Sequence, residues 1–406
     1  GIQAVSSFIP VVFAMFFMLA LLEDSGYMAR AAFIMDRFMR FIGLPGKAFL
    51  PLMIGFGCSV PAVMAARTLE KKRDRIITVF MTPFMSCGAR LSVYALFTAA
   101  FFQKSAGLVV LSLYAVGVIL AVLTGLLIKK TIYLGEPSYF VMELPTYNLP
   151  RLRHILIHTW TRLKLFLFSA GKIIVIAVMI LSFMNSLGTD GTFGNENSEK
   201  SVLTKLGRNI LPVFTPFGVS EDNWPAAVAL FSGPFAKEAI VGTLNTLYSQ
   251  IEHSGTGTDE DRVSISDKIA EGFRSIPANL AQSLPGSAPA DSDGEGSGTM
   301  LEMMKKYFGG GASAYAYLLF ILLYFPCIAT FGAVYREAGG IIAVTQALYM
   351  TVLAWCASVL FYQTVAGHDL FWIWLSIVIL ILIVLVFFVA GKIIRKKTDL
   401  NNSSAR

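Results

Sequence analysis

The chain has 406 residues, 55% of them hydrophobic and only 15% charged, with a formal net charge of +7, whereas a soluble domain carries roughly a quarter charged residues. That deficit excludes an ordinary water-soluble globule. The basic excess is no nucleic-acid signature either, because Lys and Arg sit in short loops beside apolar runs rather than in a stripe interleaved with aromatics.

Hydrophobic segments fall at 6–27, 48–66, 76–102, 106–128, 165–187, 225–248, 313–335, 340–363 and 370–391. Several reach the ~20 apolar residues that cross ~30 Å of hydrocarbon as a helix. Without strand-like alternation they predict an all-α polytopic membrane protein. If every segment spanned, the basic loops 28–47 (Arg30, Arg37, Arg40, Lys47) and 67–75 (Arg67, Lys71, Lys72, Arg73, Arg75) would lie on opposite faces, against the tendency of such loops to be cytoplasmic. The conflict disappears if 48–66, broken at Gly55-Phe56-Gly57-Cys58-Ser59-Val60-Pro61, enters and returns as a re-entrant hairpin. Segment 225–248, broken at Ser232-Gly233-Pro234, is expected to do the same.

Two units of opposite orientation follow, each a span, a hairpin and a second span. Such inverted repeats with interrupted helices are a recurring transporter plan. The expected organisation is 1–128 as first repeat plus a following span, and 129–164 as cytoplasmic linker. Residues 165–335 form the second repeat with external loops 188–224 and 249–312, 336–391 form two further spans, and 392–406 form a basic cytoplasmic tail. Within the linker, Arg151–Lys164 mixes basic and apolar residues as an interfacial helix does. The start at Gly1, almost inside an apolar run, suggests a missing N-terminal part.

Ionisable groups at membrane depth are costly and mark function by default. They are Glu23 and Asp24 at the end of the first span, Arg90 in the third segment, Lys237 and Glu238 in the second hairpin, and Arg336 and Glu337 closing the seventh segment. The last two pairs are readable either as structural ion pairs between the hairpin regions or as groups on a substrate path. Cys58 follows Gly57, Cys87 follows Pro83 and Ser86, and Cys327 follows Pro326, so each thiol sits where Gly or Pro unwinds the backbone. With Ser59, Ser86 and freed carbonyls they form a donor set that suits a borderline-soft divalent metal. Cys356 lacks a helix breaker and reads as packing. His154 and His158 read as interfacial, and Met300, Met303 and Met304 as packing.

At these residues the sequence resembles the bacterial ferrous iron transport protein B family. The matching stretches are LEDSGYMARAAF (22–33), GLPGKAFLPLMIGFGCSVPAVMAARTL (43–69), MTPFMSCGARLSVYALF (81–97), FVMELPTYNLP (140–150), GPFAKEAIVGTLNTLY (233–248) and YFPCIATFGAVYRE (324–337). GCSVPA and SCGAR look like its gate motifs, which are similar to those of nucleoside transporters; the family's usual Asn after the first gate Cys is Ser59 here. The resemblance implies a non-enzymatic chain that imports Fe2+ as substrate through the bacterial inner membrane, along a path lined by Cys58, Cys87 and Cys327. It implies no cofactor on this chain, GTP and Mg2+ belonging to an N-terminal GTPase domain in cis or as a separate part. A small cytosolic partner of the same transport system and a homo-oligomer are further expected partners. A transporter of an organic solute such as a nucleoside is the alternative, and an intramembrane hydrolase ranks last.

Overall fold

The computed structural model describes residues 2–132, 150–171, 175–176, 179, 183, 202–220, 222–253 and 295–404. Among these, all regular structure is helical. Helix α1 (Ile2–Asp24) ends at Ser25-Gly26, where Gly26 takes a positive φ of 74°. The chain there bends by 78° into α2 (Tyr27–Ile42). Helix α2 buries Ala32, Met39 and Ile42 and exposes Phe33, Ile34, Phe38 and Phe41 beside Arg37 and Arg40. That pattern belongs to a helix lying in a membrane interface, so the expected loop 28–47 is mostly helical.

Segment 48–66 contains no continuous span. It is α3 (Phe49–Gly57) and α4 (Ser59–Ala65), packed on each other and interrupted at Cys58. Next come α5 (Lys72–Met81) and α6 (Gly88–Phe101), broken at Met85–Cys87, and α7 (Ala106–Thr131). Helix α8 (Leu152–Phe166), expected to be interfacial, packs along α1. Most of the expected span 165–187 lies outside the described residues. The second unit repeats the pattern. Helices α10 (Trp224–Ser232) and α11 (Ala239–His253) flank the turn 233–238 and pack together, and α13 (Gly311–Leu323) and α14 (Ile328–Ala338) are broken at Tyr324–Cys327. The stretches read as external loops contain helices α9 (Val202–Ile210) and α12 (Glu295–Phe308). Helices α15 (Gly340–Tyr362) and α16 (Leu370–Ser404) follow, and α16 continues through the residues expected to form a tail.

By length and composition, 72–101, 106–131, 311–338, 340–367 and 370–392 can each cross a bilayer. Helix α16 exposes Ile377, Val378, Ile381, Leu382, Leu385, Val386 and Val389, an apolar face that only lipid or another apolar surface covers well. Inside, Phe97, Phe308 and Tyr317 pack with ring centroids 5.0–5.2 Å apart.

Tertiary contacts sort the loops into two ends. At one, Gly43 lies against the Lys129 side chain, Gly391 against the Thr131 carbonyl, Arg162 pairs with Glu23, and Arg67 with Glu337. At the other, Gly311 faces Phe102, Ser220 Oγ donates to the Tyr307 carbonyl, and Gln363 Nε2 to that of Pro216. The basic loops 28–47, 67–75 and 129–130 gather at the first end, where α16 passes Thr131 at Gly391.

The two units interlock reciprocally: α4 packs on α14, and α6 on α11. Each hairpin also apposes a glycine to the break of its own unit. A Cβ on Gly55 would sit 3.2 Å from Met85 Cβ and 3.4 Å from the Thr82 carbonyl, and one on Gly233 would overlap the Tyr324 hydroxyl.

Candidate metal-permeation site

The three cysteines singled out above share one structural role. Cys58, Cys87 and Cys327 are the N-cap residues of α4, α6 and α14, with φ/ψ of −154°/131°, −83°/161° and −59°/150°. Extended backbone is what an N-cap requires, and the first-turn N–H groups beyond it lack helical partners. Each sulfur therefore stands at the start of a half-helix, beside backbone N–H groups that have no helical partner. Glu238 immediately precedes α11, the fourth half-helix of this kind. All four arise because Gly or Pro interrupts an apolar run.

The three thiols are free, half-buried and close enough to feel one another's charge. Among the described residues no group of three or more His, Cys, Asp or Glu is tight enough to hold a metal ion. The thiols thus converge on one region without forming a closed cage. Cys327 Sγ lies 3.0 Å from Thr330 Oγ1. Ser86 is buried with its hydroxyl 3.2 Å from Tyr94 Oη, and Ser59 is buried at the start of α4.

Two buried cations complete the region, and each caps a broken helix. Arg90 Nη1 donates to the carbonyls of Pro83 and Met85 at 3.2 and 3.1 Å, and Nη2 donates to Pro83 at 3.2 Å. Lys237 Nζ donates to the Phe325 carbonyl at 3.0 Å and sits 3.4 Å from the centroid of the Tyr324 ring. Both satisfy carbonyls that the breaks strip of helical partners, which would otherwise be costly in a dry interior.

A cavity of about 340 Å³ opens between α1, α3, α4, α8 and α14. Its inner wall includes Val60, Pro61 and Ala329, in the first turns of α4 and α14; its charged wall is Glu23, Arg67, Arg162, Arg336 and Glu337. Glu23 pairs with Arg162 at 2.7 Å, Asp24 is exposed, and Glu337 is paired with Arg67. The roles of Arg67, Arg162, Tyr324 and Thr330 escaped the sequence reading. Arg67 entered only as an orientation charge and Arg162 only within the interfacial stretch Arg151–Lys164; Tyr324, two residues before Pro326, stood in plain view beside a break.

Residues 5–101 and 167–341 match the Gate family, described as nucleoside recognition. The chain belongs to that family. The two matched stretches contain the two interlocking units, and residues 110–162 between them match the ferrous iron transport protein B C terminus. Curated relatives named Fe(2+) transporter FeoB are similar to it. Those of Legionella pneumophila (strain Lens) and L. pneumophila (strain Paris) are each 47% identical over 369 residues, and that of Salmonella typhimurium (strain LT2) is 45% identical over the same length; each alignment covers 89% of this chain. The chain spans about half the length of these relatives, 49% and 48% respectively. No solved structure matches. The resemblance read from the motifs is thereby borne out, and with it an integral membrane protein of gate architecture.

Proposed function

We propose that this chain carries ferrous iron across a bacterial inner membrane, from the end bearing Phe102 and Gly311 to the end bearing the basic loops. The observation that carries the reading is the convergence of Cys58, Cys87 and Cys327 at the N-termini of three half-helices from both units. The relatives' printed name supports the choice of metal. A permeating ion must bind well enough to shed water and weakly enough to leave. Three thiols at helix N-termini, supplemented by Ser59, Ser86 and carbonyls at the breaks, supply exchangeable soft donors. A site in which four protein ligands enclosed the metal would trap it.

The wide cavity beside α4 and α14 then serves as the exit vestibule. The gathering of basic loops at its end supports a cytoplasmic assignment, which also makes the C-terminus cytoplasmic. Control by a GTP-binding domain, in cis or as a separate part, and contact with a small cytosolic partner act at this end in our reading.

Anaerobic Fe2+ uptake into proteoliposomes tests the proposal. Cys58→Ala, Cys87→Ala and Cys327→Ala are each expected to lower uptake at least tenfold, roughly the loss of one metal donor, while Cys356→Ala, buried within α15, transports normally. Normal uptake by all three, or nucleoside uptake in place of metal, overturns the reading.

A further inference from the structure

Lys237 is 3% exposed and belongs to the turn of the second hairpin, but its amine reaches across to the broken helix of the same unit. There it meets one carbonyl oxygen, that of Phe325, and the face of one aromatic ring, that of Tyr324. Cys87 and Cys327 are near enough to feel its charge, as is Arg90. A carbonyl dipole, a π-face and neighbouring sulfurs are what a cation seeks when it leaves water. We infer that Lys237 is a tethered cation holding the seat of the permeating metal, and that the metal passes only by displacing it.

Comparison with Arg90 sharpens the assignment. Arg90 lies on α6 and bonds carbonyls at the break between α5 and α6, so its contacts stay within one broken span. The Lys237 contact joins two elements, hairpin and broken helix, alongside a single backbone bond there, from Ile328 N to the Pro234 carbonyl at 2.8 Å. Of the two cations, Lys237 is therefore the one whose release removes a tie between hairpin and broken helix. The first hairpin places Gly57, without a side chain, directly before its N-cap Cys58, so only the second hairpin carries such a stopper. An ammonium and a divalent ion cannot share one low-dielectric pocket, since their repulsion grows as the dielectric falls. The stopper thus yields to ions that gain enough from the thiols and holds against monovalent ones.

This inference rests on the metal-transport reading but fails separately from it. The test is anaerobic Co2+ titration of the purified chain, followed by the sulfur-to-cobalt charge-transfer band, with Fe2+ and Mn2+ uptake in proteoliposomes alongside. Lys237→Met is expected to tighten Co2+ binding about tenfold, the ammonium's repulsion being gone, and to lower the Fe2+/Mn2+ uptake ratio. Lys237→Arg, which keeps a charge, is expected to keep the wild-type affinity within about twofold. Tyr324→Leu removes the aromatic half of the seat and is expected to shift affinity the same way by a smaller factor. It decides the matter if Lys237→Met fails to fold. Unchanged Co2+ affinity and selectivity in Lys237→Met, or in Tyr324→Leu where that variant decides, overturns the stopper while leaving transport intact. If wild type shows no sulfur-to-cobalt band and the cysteine variants transport normally, the metal reading itself falls.

Discussion

Arg67 and Glu337, 270 residues apart in sequence, form an ion pair with Nε 2.6 Å from Oε1. Arg67 ends the first hairpin and Glu337 closes α14 of the second unit, so the pair ties the two repeats together at the rim of the vestibule. The Arg67 side chain is 59% exposed, that of Glu337 only 5%. A partner so open to solvent limits the pair to about 1 kcal/mol. Its consequence is positional. Glu337→Gln should lower thermal stability slightly, by about 1 kcal/mol, yet change the uptake rate clearly. The exchanged pair Arg67→Glu/Glu337→Arg should recover part of that change. Melting in detergent and proteoliposome uptake measure both; additive effects in the double variant would show that the two residues are not coupled.

Arg90 is expected to matter more for stability than for transport. It is 3% exposed and donates three hydrogen bonds to two carbonyls at the first break. Arg90→Met strands both carbonyls at about 1–3 kcal/mol each, enough to consume much of the stability of an ordinary domain. Thermal unfolding should drop sharply, and Arg90→Lys, which reaches one carbonyl at a time, should fall between. An unchanged unfolding temperature in Arg90→Met would remove Arg90 from the role of cap.

Gly233 gives a sterically defined test of hairpin against break. A methyl there overlaps the Tyr324 hydroxyl and comes within 2.8 Å of Ile240 Cδ1. Gly233→Ala should therefore push the second hairpin off the broken helix and reduce Fe2+ uptake several-fold, overpacking of this kind costing about 1–3 kcal/mol. Tyr324→Phe removes the colliding oxygen and should restore part of the activity in the double variant. Gly107→Ala, where a Cβ meets nothing within 4 Å, should behave as wild type in the same uptake assay.

The breaks were legible because their causes are local. Gly57, Pro83 and Pro326 announce interruption wherever they fall in an apolar run, and each placed its neighbouring cysteine at a helix start. Charge counting required 48–66 to turn back, and the packed pair α3 and α4 agrees with it. Long-range geometry was not legible. Nothing in the local spacing says that Arg67 meets Glu337 or that Lys237 chooses the Phe325 carbonyl over Glu238. Helix α2 was missed for another reason. Its arginines drew attention to charge, while the helical spacing of Ala32, Met39 and Ile42 on the buried face went unread.

Orientation is open to direct measurement. The two ends share no described loop: Lys71, Lys72 and Lys130 belong with the basic end, and Lys104 and Asp369 flank helices that terminate at the other. In inverted or right-side-out vesicles of known sidedness, a membrane-impermeant thiol reagent should modify Arg37→Cys, Lys71→Cys and Lys130→Cys from the cytoplasmic face only. Lys104→Cys and Asp369→Cys should react from the opposite face only, each judged against the unsubstituted chain with its four native thiols. Native thiols that are half-buried or buried should give a low background, because the reagent needs an accessible thiolate. Labelling of positions 37 and 71 from different faces would require 48–66 to cross the membrane. Cys58 would then leave the company of Cys87 and Cys327, and the proposed iron path would have no common meeting point.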